Sequence, residues 1–322
     1  MRRTSLILVL GLLICVSLPA TARDCIGVIP AGGGLSFWGE VGRGARKAAD
    51  ELGLDVYYRG PYDENNPDSQ VDIIRIIERM HCKALVLAPN VPQRATEIAQ
   101  FSAHGIPTVL IDRDFGNSAA VAVVATDNFR AGELAARQMA KVLNQKGNVA
   151  VFHMKRGVQS TDDRERGFIS TARAAGLNVV LEAWVGNNVG EARLNTQKAL
   201  AANTIHLDGV FAPNESTTLA TLASLRVMGL AGRVHLIGFD MSADFIDAMA
   251  RNDLYGVVVQ RPFQMGYQGV RIAFDASQGR LPERRAIDPG AFFVTSTTLH
   301  SAQYAQDLAP FLAPDHSGSV IQ

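Results

Sequence analysis

The sequence is short of the features that most often announce a function. Of its 322 residues three are cysteine and two tryptophan, and 31 basic residues are matched by 31 acidic ones. A chain without net charge offers no electrostatic footprint for nucleic acid or an anionic membrane surface. The histidines (His81, His104, His153, His206, His235, His300 and His316) follow no H-E-x-x-H or other paired metal spacing, and no G-x-S-x-G elbow occurs. They read as structural or surface residues, so neither an enzyme nor a cofactor or metal site is expected. Ala31-Gly32-Gly33-Gly34 sits between a strand-like run and a helical one, but Phe37 stands where a dinucleotide fingerprint needs its third glycine.

Long hydrophobic runs are absent too. The apolar stretch Leu6 to Leu18 is shorter than the roughly 20 residues a membrane span needs. Arg2-Arg3 before it and Ala20-Thr21-Ala22 after it make a cleavable secretory signal. We therefore expect residues 1–22 to be removed and the mature chain to begin at Arg23, exported to the periplasm. The loss of Arg2 and Arg3, and of no acid, leaves 29 basic against 31 acidic residues. Cys25 and Cys82 remain in an oxidising compartment. Each opens an apolar run, and if those runs are neighbouring parallel strands, at a spacing of roughly 4.8 Å, the pair is within disulfide reach. Two buried free thiols are the alternative.

What the chain does have is alternation. Short apolar runs give way to helical stretches, the sign of βαβ units and parallel sheets, and the length suits two domains. Strands are expected at Cys25 to Pro30, Asp55 to Arg59, Ala84 to Pro89, Ile106 to Ile111 and Val121 to Ala125. A second series follows at Val149 to His153, Asn178 to Trp184, Gly209 to Ala212, Val234 to Phe239 and Gly256 to Val259. The helix at Val71 to Met80 presents Val71, Ile74, Ile77 and Met80 as its core stripe. Pro282 to Pro289 reads as a connector and Phe292 to Thr298 as a last extended run. The two series share a pattern but no visible sequence repeat.

Polar side chains cluster where the apolar runs stop. Asp112-Arg113 closes one strand, and the carboxyl edge of an open parallel sheet is where ligands bind. Arg164 follows Ser160-Thr161-Asp162-Asp163 where a loop turns into a helix, and Asn214, Asp240 and Gln260 end three further runs. Such groups suit a polyhydroxylated ligand, carboxylates accepting from paired hydroxyls and Arg, Asn and Gln donating back. Phe37 and Trp38 would cover the apolar face of a sugar ring. Asp112 and Asp240 balance Arg113 and Arg164, so a neutral ligand leaves no unpaired buried charge. Taken singly, each polar residue also fits an N-cap or loop hydrogen bond, and the aromatic pair fits ordinary core packing.

The runs Asp112-Arg113, Ala125-Thr126-Asp127-Asn128, Arg164-Glu165-Arg166-Gly167-Phe168, Phe211-Ala212-Pro213-Asn214-Glu215, Gly238-Phe239-Asp240 and Gln260 together resemble the periplasmic sugar-binding proteins of the ribose-binding protein type. The resemblance covers essentially the whole mature chain. It implies an α/β fold of two similar lobes, each a parallel sheet flanked by helices, joined by three crossings near Thr126-Asp127, Gln260-Arg261 and Pro289-Gly290. The lobes would then comprise 23–126 plus 261–290 and 127–260 plus 291–322. It further implies that Phe37 and Trp38 stack on a sugar, that Asp112, Arg113, Arg164, Asn214, Asp240 and Gln260 hydrogen-bond it, and that a monomeric chain hands it to the membrane permease of an ABC importer. Ala31-Gly32-Gly33-Gly34 and Ala88 stand where ribose-type proteins are more polar, so another pentose, a hexose or a polyol fits as well as ribose.

Two other outputs share the architecture. A repressor of the lac type would need a basic helix-turn-helix headpiece before Cys25, where the signal peptide stands instead. A ligand sensor reporting to a histidine kinase or chemoreceptor is compatible with the same residues.

Overall fold

The computed structural model describes residues 23–62, 64–116 and 119–312. The expected signal peptide lies outside these residues, as does the end of the expected second lobe. Six strands form the first sheet: β1 (Cys25–Ile29), β2 (Asp55–Tyr58), β3 (Ala84–Leu87), β4 (Thr108–Ile111), β5 (Ala122–Val124) and β11 (Ala286–Ile287). The second sheet holds β6 (Asn148–His153), β7 (Asn178–Trp184), β8 (Gly209–Phe211), β9 (His235–Phe239), β10 (Gly256–Gln260) and β12 (Ala291–Thr295). The spatial orders are β2-β1-β3-β4-β5-β11 and β7-β6-β8-β9-β10-β12, all parallel except the β10–β12 pair. Each order reverses direction once, between β1 and β3 and between β6 and β8, which marks the crevice where an open sheet binds ligands.

The central strands are apolar throughout because helices cover both faces; β3 and β4, for instance, are buried along their whole length. The first sheet lies between α1 (Ser36–Leu52) and α9 (Pro262–Ser277) on one face and α2 (Pro67–Arg79) and α3 (Ala95–Ala103) on the other. The second lies between α4 (Asn128–Val142) and α5 (Gln159–Ala174) on one face and α6 (Val189–Ala202), α7 (Glu215–Val227), α8 (Ala243–Ala250) and α10 (Ala305–Leu312) on the other. These are two similar α/β lobes, each a mostly parallel sheet flanked by helices, as the resemblance implied.

Several local readings need correction. Asn66 caps α2, accepting from the amides of Asp68 and Ser69, and Pro67 takes the first turn, where its missing N–H costs nothing. The helix therefore starts early and its buried positions are Gln70, Ile73, Ile74 and Ile77. Val71 is only half-buried, and Met80, past the helix end, is 45% exposed. The stretch read as a connector contains β11, two residues long, which exists because β5 offers it a free edge: the Val123 amide donates to Arg285 O at 2.7 Å and the Ala125 amide to Ile287 O at 3.0 Å. The helix of Arg164 begins at Gln159, so this arginine sits in the second turn and not at a loop junction.

Cys25 and Cys82 are disulfide-bonded, with Cα atoms 4.6 Å apart. The bond joins the amino ends of β1 and β3, because the two strands are paired in parallel. It therefore lies at the opposite end of the sheet from the candidate ligand residues.

One helix pair in each lobe packs through glycines. A Cβ at Gly132 of α4 would lie 2.0 Å from the Arg164 carbonyl oxygen, and one at Gly167 of α5 would lie 2.1 Å from that of Phe129. In the first lobe Gly44 and Gly266 meet Phe263 O and Val41 O in the same way, each at 2.0 Å. The partner carbonyl is three residues before the opposing glycine in all four cases, so the lobes repeat one packing motif that the sequence alone did not display. Gly132→Ala is expected to destabilise the protein by about 2 kcal/mol or more, since a methyl group forced against backbone must move a helix. It should also weaken ligand binding by displacing Arg164; chemical denaturation and titration of the same variant check the two effects.

Candidate functional site

The expected ligand residues come together on the carboxyl edges of the two sheets. Asp112 follows β4 and Asp240 follows β9, the fourth strand of its own lobe. Both are buried and both adopt a left-handed backbone, with φ of 66° and 69°. Aspartate tolerates this region better than most residues, and such strain collects at functional sites. Each amide donates to the next strand, Asp112 to Val124 O at 3.1 Å and Asp240 to Val258 O at 2.8 Å.

Around Asp112 the site is tied together by charge. Arg113 donates to Asp112 Oδ2 at 2.8 Å and to Glu64 Oε1 at 2.5 Å. Burial alone would lower the Arg113 pKa, but Glu64 and Asp112 outweigh it and hold the guanidinium protonated. Gln70 reaches the same edge from α2, donating to Ala88 O at 2.9 Å and Pro30 O at 3.3 Å and accepting from the Asn90 amide at 3.1 Å. It thereby clamps the ends of β1 and β3. Asn90 beside it keeps a buried Oδ1 without a hydrogen-bond partner among the described residues.

In the second lobe, Arg164 stacks 4.0 Å from the centroid of Phe239 and donates to Asn128 Oδ1 at 2.8 Å and Pro213 O at 3.0 Å. Its pKa is lowered, burial prevailing over Asp240 and Asp112. Its Nη2 is buried with no partner among the described residues. Gln260 donates to Asp240 Oδ1 at 2.8 Å, and its own Oε1 is likewise unpartnered. Burial raises the Asp240 pKa, with Arg164 the main opposing influence. Asn214 is the N-cap of α7, in a capping box with Thr217, and is half-buried, with its Nδ2 3.1 Å from Ser216 Oγ. Phe37 and Trp38 are buried at the start of α1, their rings in edge contact at 4.7 Å. A cavity of about 420 Å³ touches Phe37, Asp240 and Gln260 but is lined mainly on the side of Arg261 to Gln264 with Gln306 and Asp307; Trp38, Asp112, Arg113, Arg164 and Asn214 do not line it.

His153, at the end of β6, is buried between Glu165 at 2.7 Å and Glu182 at 3.1 Å, stacked on Trp184. Burial lowers its pKa, but the bonds to the two carboxylates prevail and raise it. Glu165 also accepts from the Met154 amide at 3.2 Å, so the histidine steadies the helix turn that carries Arg164.

The expected charge balance, two aspartates against two arginines, is incomplete. Glu64 belongs to the cluster through Arg113, and Glu215 through Asp240, whose Oδ2 accepts from the Glu215 amide at 3.0 Å. Glu215 accepts in turn from the amides of Ser36 at 3.0 Å and Phe37 at 3.1 Å across the cleft. Its pKa is pushed up to about 7 by burial and by Asp240, against the pull of those amides. Burial and Asp240 thus disfavour the ionised form of Glu215, which offsets part of the acid excess. At the cleft rim Asn65 donates to Asn187 Oδ1 at 2.7 Å and accepts from Lys155 at 2.9 Å, so the lobes face each other closed.

Residues 26–281 match the family described as periplasmic binding protein domain. The ribose import binding protein of Salmonella typhimurium is 26% identical over 265 residues, 82% of this chain and 88% of that protein. Among solved structures, the periplasmic component of an ABC-type sugar transport system from Hahella chejuensis superposes with a TM-score of 0.80 at 32% identity, covering 84% of this chain and all of that one. An ABC transporter solute binding protein from Agrobacterium vitis, with D-fucose bound, gives 0.82 at 29% identity, with 88% and 99% covered.

Proposed function

The chain belongs to the periplasmic binding protein domain family, whose relatives here are sugar-binding components of ABC transporters, and from that premise we propose that it captures a neutral monosaccharide or polyol between its lobes and delivers it to an importer permease. Import rather than sensing is favoured because the relatives are named for import and transport. The protein works in the periplasm as a monomer, exported by its signal peptide; no helix among the described residues is long and apolar enough to cross a membrane.

The lobes are 23–126 with 261–290 and 127–260 with 291–322, and they rock about the three crossings between them. The ligand bridges strand ends of both, and the closed form is selected because only it completes both sets of contacts. The observation that carries this reading is a pair of buried polar atoms without a hydrogen-bond partner among the described residues, Arg164 Nη2 and Gln260 Oε1, on two side chains that both act on Asp240. Leaving such groups unpaired costs about 1–3 kcal/mol each. One donor and one acceptor match a hydroxyl group, which both accepts and donates. Asp112 and Asp240 accept from neighbouring hydroxyls, Arg113 and Asn214 donate, and Phe37 and Trp38 cover the apolar face of the ring.

A thermal-shift screen of the ligand-stripped mature protein tests this, because a ligand that binds only the native state raises the melting temperature by mass action. A shift with one or a few neutral sugars or polyols is expected. Shifts confined to amino acids or anions would overturn the reading.

A further inference from the structure

We propose that Glu215 is the positioning residue of closure: its carboxylate, carried on α7 of one lobe, caps the open amino end of α1 in the other and fixes Phe37 against the cleft. A helix start leaves several amides without intrahelical partners. In α1 nothing local supplies them, since Leu35 at the N-cap makes no side-chain hydrogen bond and the first turn contains no acidic residue. The cap comes instead from 178 and 179 residues away, with both Glu215 oxygens engaged, one by each amide. The positive end of the α1 dipole adds to the attraction. The cap is buried, spans the two lobes and lies beside the candidate ligand residues, so it forms when the lobes close and breaks when they part. This role rests on the sugar-capture reading only for its purpose; the cap itself is independent of the ligand.

Proton linkage gives the proposal a readout that a merely structural side chain would not move. The charged group facing Glu215 from β9 is Asp240. Arg164 of α5 is bonded to the Pro213 carbonyl two residues earlier, and Asp112 and Arg113 of the first lobe act on Asp240 and Arg164 in their turn. In the closed molecule burial and then Asp240 push the Glu215 pKa up to about 7 from an ordinary 4.5; when the lobes part, the burial is relieved while Asp240, in the same lobe, stays, so the pKa falls part of the way back. A group whose pKa is raised on closing favours the closed state in acid, fully below the ordinary value, and loses that effect as pH rises through the raised one. Closure should therefore take up a proton.

The test is titration of the full mature chain with the sugar that gives the largest shift in the screen, D-fucose being tried first, from pH 8 to pH 5. X-ray scattering of the ligand-free protein at the two pH limits accompanies it. Wild type is expected to bind several-fold tighter at pH 5 and to be more compact there. Glu215→Gln should flatten both dependences, and Glu215→Ala should bind more weakly with faster release at every pH. A wild-type pH profile in Glu215→Gln, or unchanged release in Glu215→Ala, would overturn the proposal. If no sugar binds while the Glu215-dependent compaction is present, the positioning role stands and the sugar reading fails.

Discussion

Replacing Arg164 by alanine is expected to weaken sugar binding by about a hundred-fold or more, which corresponds to the roughly 3 kcal/mol that a buried, charge-assisted hydrogen bond is worth in a closed site. The arginine is 2% exposed, and its guanidinium is held in place by Asn128, the Pro213 carbonyl and the Phe239 ring. Two of its nitrogens are thus spent on orientation and Nη2 is left to donate. Orientation of this kind is what makes a binding interaction strong, because little freedom remains to be given up when the ligand arrives. The fold should survive, since the side chain lies at the cleft edge and not within a hydrophobic cluster, and circular dichroism with a melting curve checks this. Arg164→Lys should restore little, because a point charge cannot bond Asn128, Pro213 and a ligand in one plane. Affinity equal to wild type in Arg164→Ala would remove the residue from the site.

Breaking the Cys25–Cys82 bond should cost about 4 kcal/mol of stability, as expected when a bond closes a loop spanning 57 residues of sequence. The melting temperature should fall by something of the order of 10 °C. Sugar affinity should barely change, because the bond joins the amino ends of β1 and β3 while the candidate ligand residues sit beyond the carboxyl ends. Cys82→Ser, measured by calorimetry and by titration, separates the two effects. A large loss of affinity at temperatures well below melting would mean that the amino end of the sheet is coupled to the cleft.

Much of this architecture was legible because parallel strands buried on both faces read as continuous apolar runs. Ala84–Leu87, buried along its whole length, is a strand that begins where its residues suggested. The polar residues closing those runs were legible for the same reason, since Asp112 or Asp240 stands out against Ile111 or Phe239. What escaped was set by partners far away in sequence. Ala286–Ile287 is a strand only because β5 has an edge to offer. Gln70 lay just before the helix expected at Val71 to Met80, yet it is in the helix and fully buried because three backbone groups from two strand ends satisfy it. Glu215, in the first turn of a helix, is where an acidic residue is unremarkable on dipole grounds, so nothing local marked it as reaching another lobe. Glu64 lay hidden in a polar loop until Arg113 was placed beside it.

The recurrence of the glycine packing motif in the two lobes bears on how a ligand is oriented. The two lobes repeat one strand order and one packing motif, and Asp112 and Asp240 stand at corresponding positions, each after the fourth strand of its lobe and each with a left-handed backbone. Two matched carboxylates cannot by themselves distinguish the two ends of a ring. The mates of the arginines, however, are not arginines: Met241 follows Asp240 where Arg113 follows Asp112, and Val41 stands three residues before Gly44 where Arg164 stands three before Gly167. Polarity within the cleft thus comes from the positions at which the two halves differ, and on the proposed reading the arginines rather than the aspartates would set the direction of a bound ring.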